Sequence, residues 1–151
     1  MNQSALQPLP VEQLQHPHAR WLLAYWRMKS PDGDLPAYRY FNSHETRAIA
    51  PHLVVIEGSA AGGALRYTQV GSALIDRFRV ELAGLSLPSG SRGGWSALIR
   101  QAAAEHRPTA GRGHLPGSQG DWVRFEIVAL PFADDRGDSD VVVAGLFFFG
   151  V

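Results

Sequence analysis

The run VVVAGLFFF at 141–149 constrains the fold more than any other part of the chain. Side chains of a strand point to opposite faces with period two, so a sheet with one wet face normally alternates apolar and polar residues. This run has no polar side chain, and it therefore requires cover on both faces: helices on one side, and the first helix or a partner on the other. WVRFEIVAL at 122–130 precedes it across the charged, glycine-containing DDRGDSD, so the two read as a long hairpin. A weaker strand candidate covers 109–117. Further upstream, HLVVIEG (52–58) and LRYTQVG (65–71) flank the glycine-rich SAAGGA and read as a second antiparallel hairpin.

Helical periodicity fills the remaining segments. ARWLLAYWRMK at 19–29 places Trp21, Leu22, Tyr25, Trp26 and Met28 on a broad apolar stripe, which predicts an amphipathic helix. Ser30, Pro31, Asp32 and Gly33 end it by turn chemistry. Pro36, Tyr38, Tyr40 and Phe41 suggest an extended segment laid over the body. A short helix is expected from about Ser43 to Ala50, with Asn42 or Ser43 as N-cap and Pro51 at its end. Ser72–Phe78 reads as another short helix, and 84–94 as a glycine, serine and proline connection. In WSALIRQAAAEHR (95–107), Trp95, Leu98, Ile99, Ala102 and Ala103 share one side, and Pro108 closes the helix. Residues 1–18, rich in proline and glutamine, read as a flexible N-terminal arm without a core-facing surface. Strand hairpins at both ends of a helical middle argue an α+β domain over 19–151, an antiparallel sheet with helices on one face and no βαβ repeat.

The 151 residues, 45% of them hydrophobic, suffice for one core. Fourteen basic residues balance fourteen acidic ones, which gives no field to draw the chain onto nucleic acid or an anionic membrane. No cysteine is present, which removes disulfides, thiolate metal sites and cysteine nucleophiles, and fits a reducing cytoplasm. The N-terminus carries no signal-peptide pattern, and no apolar run reaches the length of a membrane span.

Several strings together, YWR at 25–27, LP at 35–36, LVVIE at 53–57, RYTQVGSAL at 66–74, ELAG at 81–84 and ALPF at 129–132, resemble the bacterial PAS-domain family first catalogued as a domain of unknown function. The likeness covers about residues 20–149. Its most telling piece is RYTQVGSAL, a strand running into a helix through a glycine hinge; Gln69 and Ala83 stand where the family usually has an apolar residue and a threonine. The resemblance implies a PAS-like five-stranded antiparallel sheet with helices across one face and a sensory, non-enzymatic role. It implies no common cofactor.

The residues that could carry chemistry favour the plainer reading in most cases. Six histidines raise the question of a metal, but no two share the i, i+4 spacing of a zinc-protease helix, so no metal is expected; one histidine holding haem stays open. No nucleophile elbow or phosphate-binding glycine loop is present, so the serines and glycines of GSRGG, GSQG and AAGGA read as turns. Asp134, Asp135, Asp138 and Asp140 lack the order of a calcium loop and read as a solvated hairpin tip. A pocket is the better candidate. If the Tyr67 face of its strand is inward, Gln69 sets an amide in an apolar interior, where lack of a partner costs about 1–3 kcal/mol. Tyr67, Gln69, Phe125 and Ile127 would then line a cavity for a small ligand; otherwise they fill the core. Trp21, Tyr25 and Trp26 must bury their rings, on the same domain or on a second chain. The expected function is a stand-alone sensory or regulatory domain acting through contact with another signalling protein, as a homodimer. The alternative is a small cone-shaped α+β enzyme or ligand carrier, with Asp76, Glu126 and His52 as its candidate acids and bases.

Overall fold

The computed structural model describes residues 6–59, 64–78, 83–87, 94–117, 120–134 and 140–150. The chain runs β1 (Gln7–Leu9), α1 (Pro17–Lys29), β2 (Leu53–Ser59), β3 (Ala64–Val70), α2 (Ser72–Phe78), α3 (Gly94–Glu105), β4 (Thr109–Pro116), β5 (Trp122–Ala133) and β6 (Asp140–Phe148). The strands form one six-stranded sheet in the order β1-β4-β5-β6-β2-β3, antiparallel at every pairing. Both expected hairpins are present; the tips at 60–63 and 135–139, with Asp135 and Asp138, lie outside the described residues.

Both faces of the sheet are dry, as the composition of β6 requires. On one face Val142, Ala144 and Leu146 of β6 join Val54, Ile56, Phe125 and Ile127 under Leu98, Ile99, Ala102 and Ala103 of α3 and Leu74 of α2. On the other, Val141, Val143 and Phe147 join Val55, Val128, Leu130 and Phe132 under Ala19, Leu22, Leu23 and Trp26 of α1. Each valine, leucine, isoleucine or phenylalanine among them contributes roughly 1.5–3 kcal/mol on burial. Trp26 also satisfies its indole N–H, which donates to the Pro131 carbonyl at 2.7 Å. Thus α1 covers the face left open by α2 and α3.

The sheet has one strand more than the resemblance implies. Within the N-terminal segment expected to be a flexible arm, β1 pairs with β4, and Leu14 is 4% exposed against the α1 side of the sheet. Both sheet edges are blunted against further pairing. Pro8 lies in the three-residue β1 and Pro10 follows it, a blunt edge. On β3, the segment 84–87 adds hydrogen bonds from Tyr67 N to Leu85 O (2.9 Å) and from Leu87 N to Leu65 O (2.7 Å).

Two local readings are corrected. Residues 43–49 form successive turns where a helix is expected. Asn42 does cap them, its Oδ1 accepting from His44 N and Glu45 N, but the Thr46 hydroxyl donates back to Asn42 O at 3.1 Å and competes with helix continuation. The second correction concerns β3. Its register against β2 shifts between Val55, opposite Gln69, and Ile56, opposite Tyr67, which leaves Thr68 as an extra residue in a bulge. Tyr67 and Val70 therefore face the core, while Gln69 is turned out to solvent. The Thr68 hydroxyl donates to Val55 O at 3.2 Å.

The glycine hinge between β3 and α2 has a steric cause. Gly71 N donates to Leu53 O at 2.7 Å, and a Cβ on Gly71 would run into the backbone carbonyls of Ala50 and Pro51. Only glycine allows that approach.

Candidate functional site

The four residues expected to line a ligand cavity are not brought together for that purpose. Tyr67 and Ile127 border an apolar cavity of about 20 Å³ together with Leu74, Phe78, Trp95 and Ile99. That is room for about one water and no larger ligand. Phe125 packs in the same cluster without bordering the cavity, and Gln69 lies outside the core. Burial raises the Tyr67 phenol above its ordinary value, and a hydrogen bond with the Trp95 side chain offsets part of the shift. The buried hydroxyl thus has a partner within the domain, and the region is a filled core.

The three aromatic residues singled out on α1 have different fates. Tyr25 and Trp26 are buried within the domain, at 4% and 5% exposure, while Trp21 remains 43% exposed. Period 3.6 puts Trp21, Tyr25 and Met28 on one stripe, and the Trp21 and Tyr25 rings stack with centroids 5.1 Å apart and planes at 16°. Tyr25 is fixed in turn: its hydroxyl donates to Glu45 Oε1 at 2.6 Å and accepts from Asn42 N at 3.0 Å, and Lys29 Nζ lies 5.2 Å from the ring centroid. Burial first, and the carboxylate partner second, push its pKa up to about 12. The Tyr25 hydroxyl holds Glu45 below the usual carboxylate range, with Lys29 adding to the effect. Met28 at 70% and Tyr40 at 52% exposure add apolar surface beside this ordered stack.

Of the three residues named for an acid or base role, Glu126 is committed elsewhere. It is fully buried, in the middle of β5 and directly opposite Arg112 of β4. Its Oε1 accepts from Gln15 N (2.9 Å) and His16 N (2.7 Å), and Oε2 accepts from Arg112 Nε (2.9 Å) and Nη2 (2.6 Å). Arg112 also donates to Gln13 O at 3.0 Å. This arrangement ties the segment before α1 to the sheet. Sequence reasoning missed it, although an acid inside an apolar strand is itself a signal that a charged partner must be near.

His52 and Asp76 come together with His16, His18, Arg77 and Phe148 around an open groove of about 840 Å³ at the end of the sheet where α1 begins. Burial holds the His52 imidazole below its ordinary value; a hydrogen bond to the Leu146 backbone opposes this, and the neighbouring His18 and His16 reinforce it. Among the described residues no group of three metal-ligating side chains converges. His16 shows why: its Nδ1 accepts from His18 N (3.1 Å) and its Nε2 donates to Phe148 O (3.0 Å), which leaves neither nitrogen for a metal. No helix among the described residues is long and apolar enough to cross a membrane.

No family model and no curated protein matches the sequence. Among solved structures, the fold is similar to the PAS domain of BvgS from Bordetella pertussis, at 16% identity and a TM-score of 0.47, over 72% of this chain and 86% of that one.

Proposed function

We propose that the chain is a PAS-like sensory or regulatory domain that acts by protein contact, first with a second copy of itself and through that dimer with another signalling protein. The observation that carries this reading is Trp21, a large side chain left exposed yet already immobilised on Tyr25. Ordering a side chain at an interface costs about 0.5–1.5 kcal/mol, and a tryptophan pre-stacked on its own helix has met most of that cost before it meets a partner. Tryptophan anchors of this kind carry a disproportionate share of contact energy. The chain's balanced charge puts no net repulsion between two copies.

Among the described residues, the cavity that Tyr67 borders has room for about one water, and a core so filled supports contact over gating by a ligand. It also weighs against the enzyme alternative at Glu126, whose oxygens are all engaged by the arm and Arg112. Sedimentation velocity on the wild type and Trp21→Glu tests the reading. The wild type should sediment as a dimer and the variant as a monomer with almost unchanged melting temperature. A wild type that stays monomeric at the concentrations where the protein is handled in solution, or a variant that still dimerises, contradicts it.

A further inference from the structure

The groove beside α1 differs in kind from the core cavity. Its volume of about 840 Å³ falls within the range of small-molecule sites, which combine apolar or aromatic walls with a few oriented polar groups. Three elements build it: Phe148 comes from the end of β6, His16 and His18 from the start of α1, and Asp76 and Arg77 from α2.

Arg77 is the fixed point of the groove. Its guanidinium lies 4.8 Å from the centroid of the Phe148 ring, and Nη2 donates to Pro116 O at 3.3 Å. Phe148 and Pro116 both border the groove, so the charged end of Arg77 belongs to the wall together with its stem. A guanidinium carries five N–H donors in a planar fork that suits a carboxylate, and one carbonyl contact leaves most of them unused. Among the described residues no carboxylate pairs with Arg77. Its neighbour Asp76 does not, because successive residues on a helix point about 100° apart and do not face each other. The Asp76 side chain is exposed on the groove rim and has no hydrogen bond or ion pair of its own among the described residues.

The groove thus sets one unpaired cation beside one unpaired anion. A simple anion would gain Arg77 and be repelled by Asp76, and a simple cation would meet the reverse. A molecule with both charges on neighbouring groups satisfies both. His18 adds a flat face for the rest of such a molecule: its exposed ring lies edge-on to Phe147, with centroids 5.8 Å apart, and 5.4 Å from the His16 ring.

We propose that the groove binds the zwitterion of a free aromatic α-amino acid, its carboxylate on the Arg77 fork, its ammonium on Asp76 and its ring against the imidazole of His18. This site goes beyond the contact function of α1 and does not rest on it.

The test is a two-dimensional amide NMR titration of the full chain with phenylalanine, with hydrocinnamate, which lacks the ammonium, and with phenethylamine, which lacks the carboxylate. Phenylalanine should shift the amides of Ala73, Arg77 and Gly117 in a saturable way and bind about tenfold more tightly than either analogue, the ratio expected for one hydrogen bond to a charged group. In Asp76→Asn phenylalanine should bind no better than hydrocinnamate, and in Arg77→Gln no better than phenethylamine. Equal affinities for the three compounds, a phenylalanine affinity unchanged in either variant, or no saturable shift would overturn the assignment. The wild-type ratios decide the need for both charges even if a variant does not fold.

Discussion

Replacing Glu126 by glutamine changes little in shape, yet the geometry requires it to be costly. The two carboxylate oxygens face two donor pairs: Oε1 faces the backbone N–H groups of Gln15 and His16, and Oε2 faces the Arg112 Nε–H and Nη2–H, with the Gln15 N–H also reaching Oε2 at 3.1 Å. A glutamine amide has one oxygen and one NH2. Whichever way it is turned, its NH2 meets one donor pair head on, and the other pair keeps a neutral acceptor in place of a charged one. Leaving buried donors unsatisfied costs about 1–3 kcal/mol, and hydrogen bonds to a charged group are worth about 1.5–3 kcal/mol. The 3–5 kcal/mol of a broken, fully buried ion pair is too high here, because the Arg112 side chain is 30% exposed and can turn its charge to water. We expect Glu126→Gln to lose about 3 kcal/mol in urea denaturation, or roughly 6–12 °C in melting temperature for a domain of this size. The loss should begin locally, so hydrogen exchange at the Gln15 and His16 amides should speed up before the α3 amides change. A loss below about 0.5 kcal/mol with those two amides still protected would refute the role of Glu126 as the anchor of this segment.

Two further predictions follow from the same end of the sheet. His52 has a folded-state pKa below its ordinary 6.5, so the unfolded chain takes up the proton first and stability should fall as the pH drops through 6.5 toward the lower folded value. Urea midpoints across this window should show the slope, and His52→Phe should flatten it; a slope unchanged in the variant would place its origin elsewhere. Gly71→Ala should lose about 2–3 kcal/mol, the upper part of the overpacking range, because the new Cβ meets backbone carbonyls and no side chain can yield. A urea midpoint that does not move would show that the 50–52 turn shifts freely.

What could be read from the sequence divides along physical lines. Period and punctuation placed α1, α2, α3 and five of the six strands, because a stripe of apolar residues or an alternating run records its own environment. The all-apolar run 141–149 announced that both faces are covered, and α1 provides the second cover. Non-local events were hidden. The Thr68 bulge reverses the face on which Gln69 falls, and it exists only in the pairing of β3 with β2. The segment before α1 looked flexible since its order comes from Glu126, more than a hundred residues away in the chain. Tyr25 and Trp26 were recognised as residues that need burial, but only the packed helix shows that Trp21 alone of the three stays exposed. The groove escaped notice because His16, His52 and Asp76 belong to separate elements whose end-to-end placement no local pattern encodes.

The central claim, an interaction domain that works as a dimer through the α1 stripe, is most directly tested by native mass spectrometry of the freshly purified wild type. The account predicts a principal species at twice the 16.5 kDa mass of the chain. A spectrum showing the single chain alone, at concentrations where the protein is handled in solution, would contradict it.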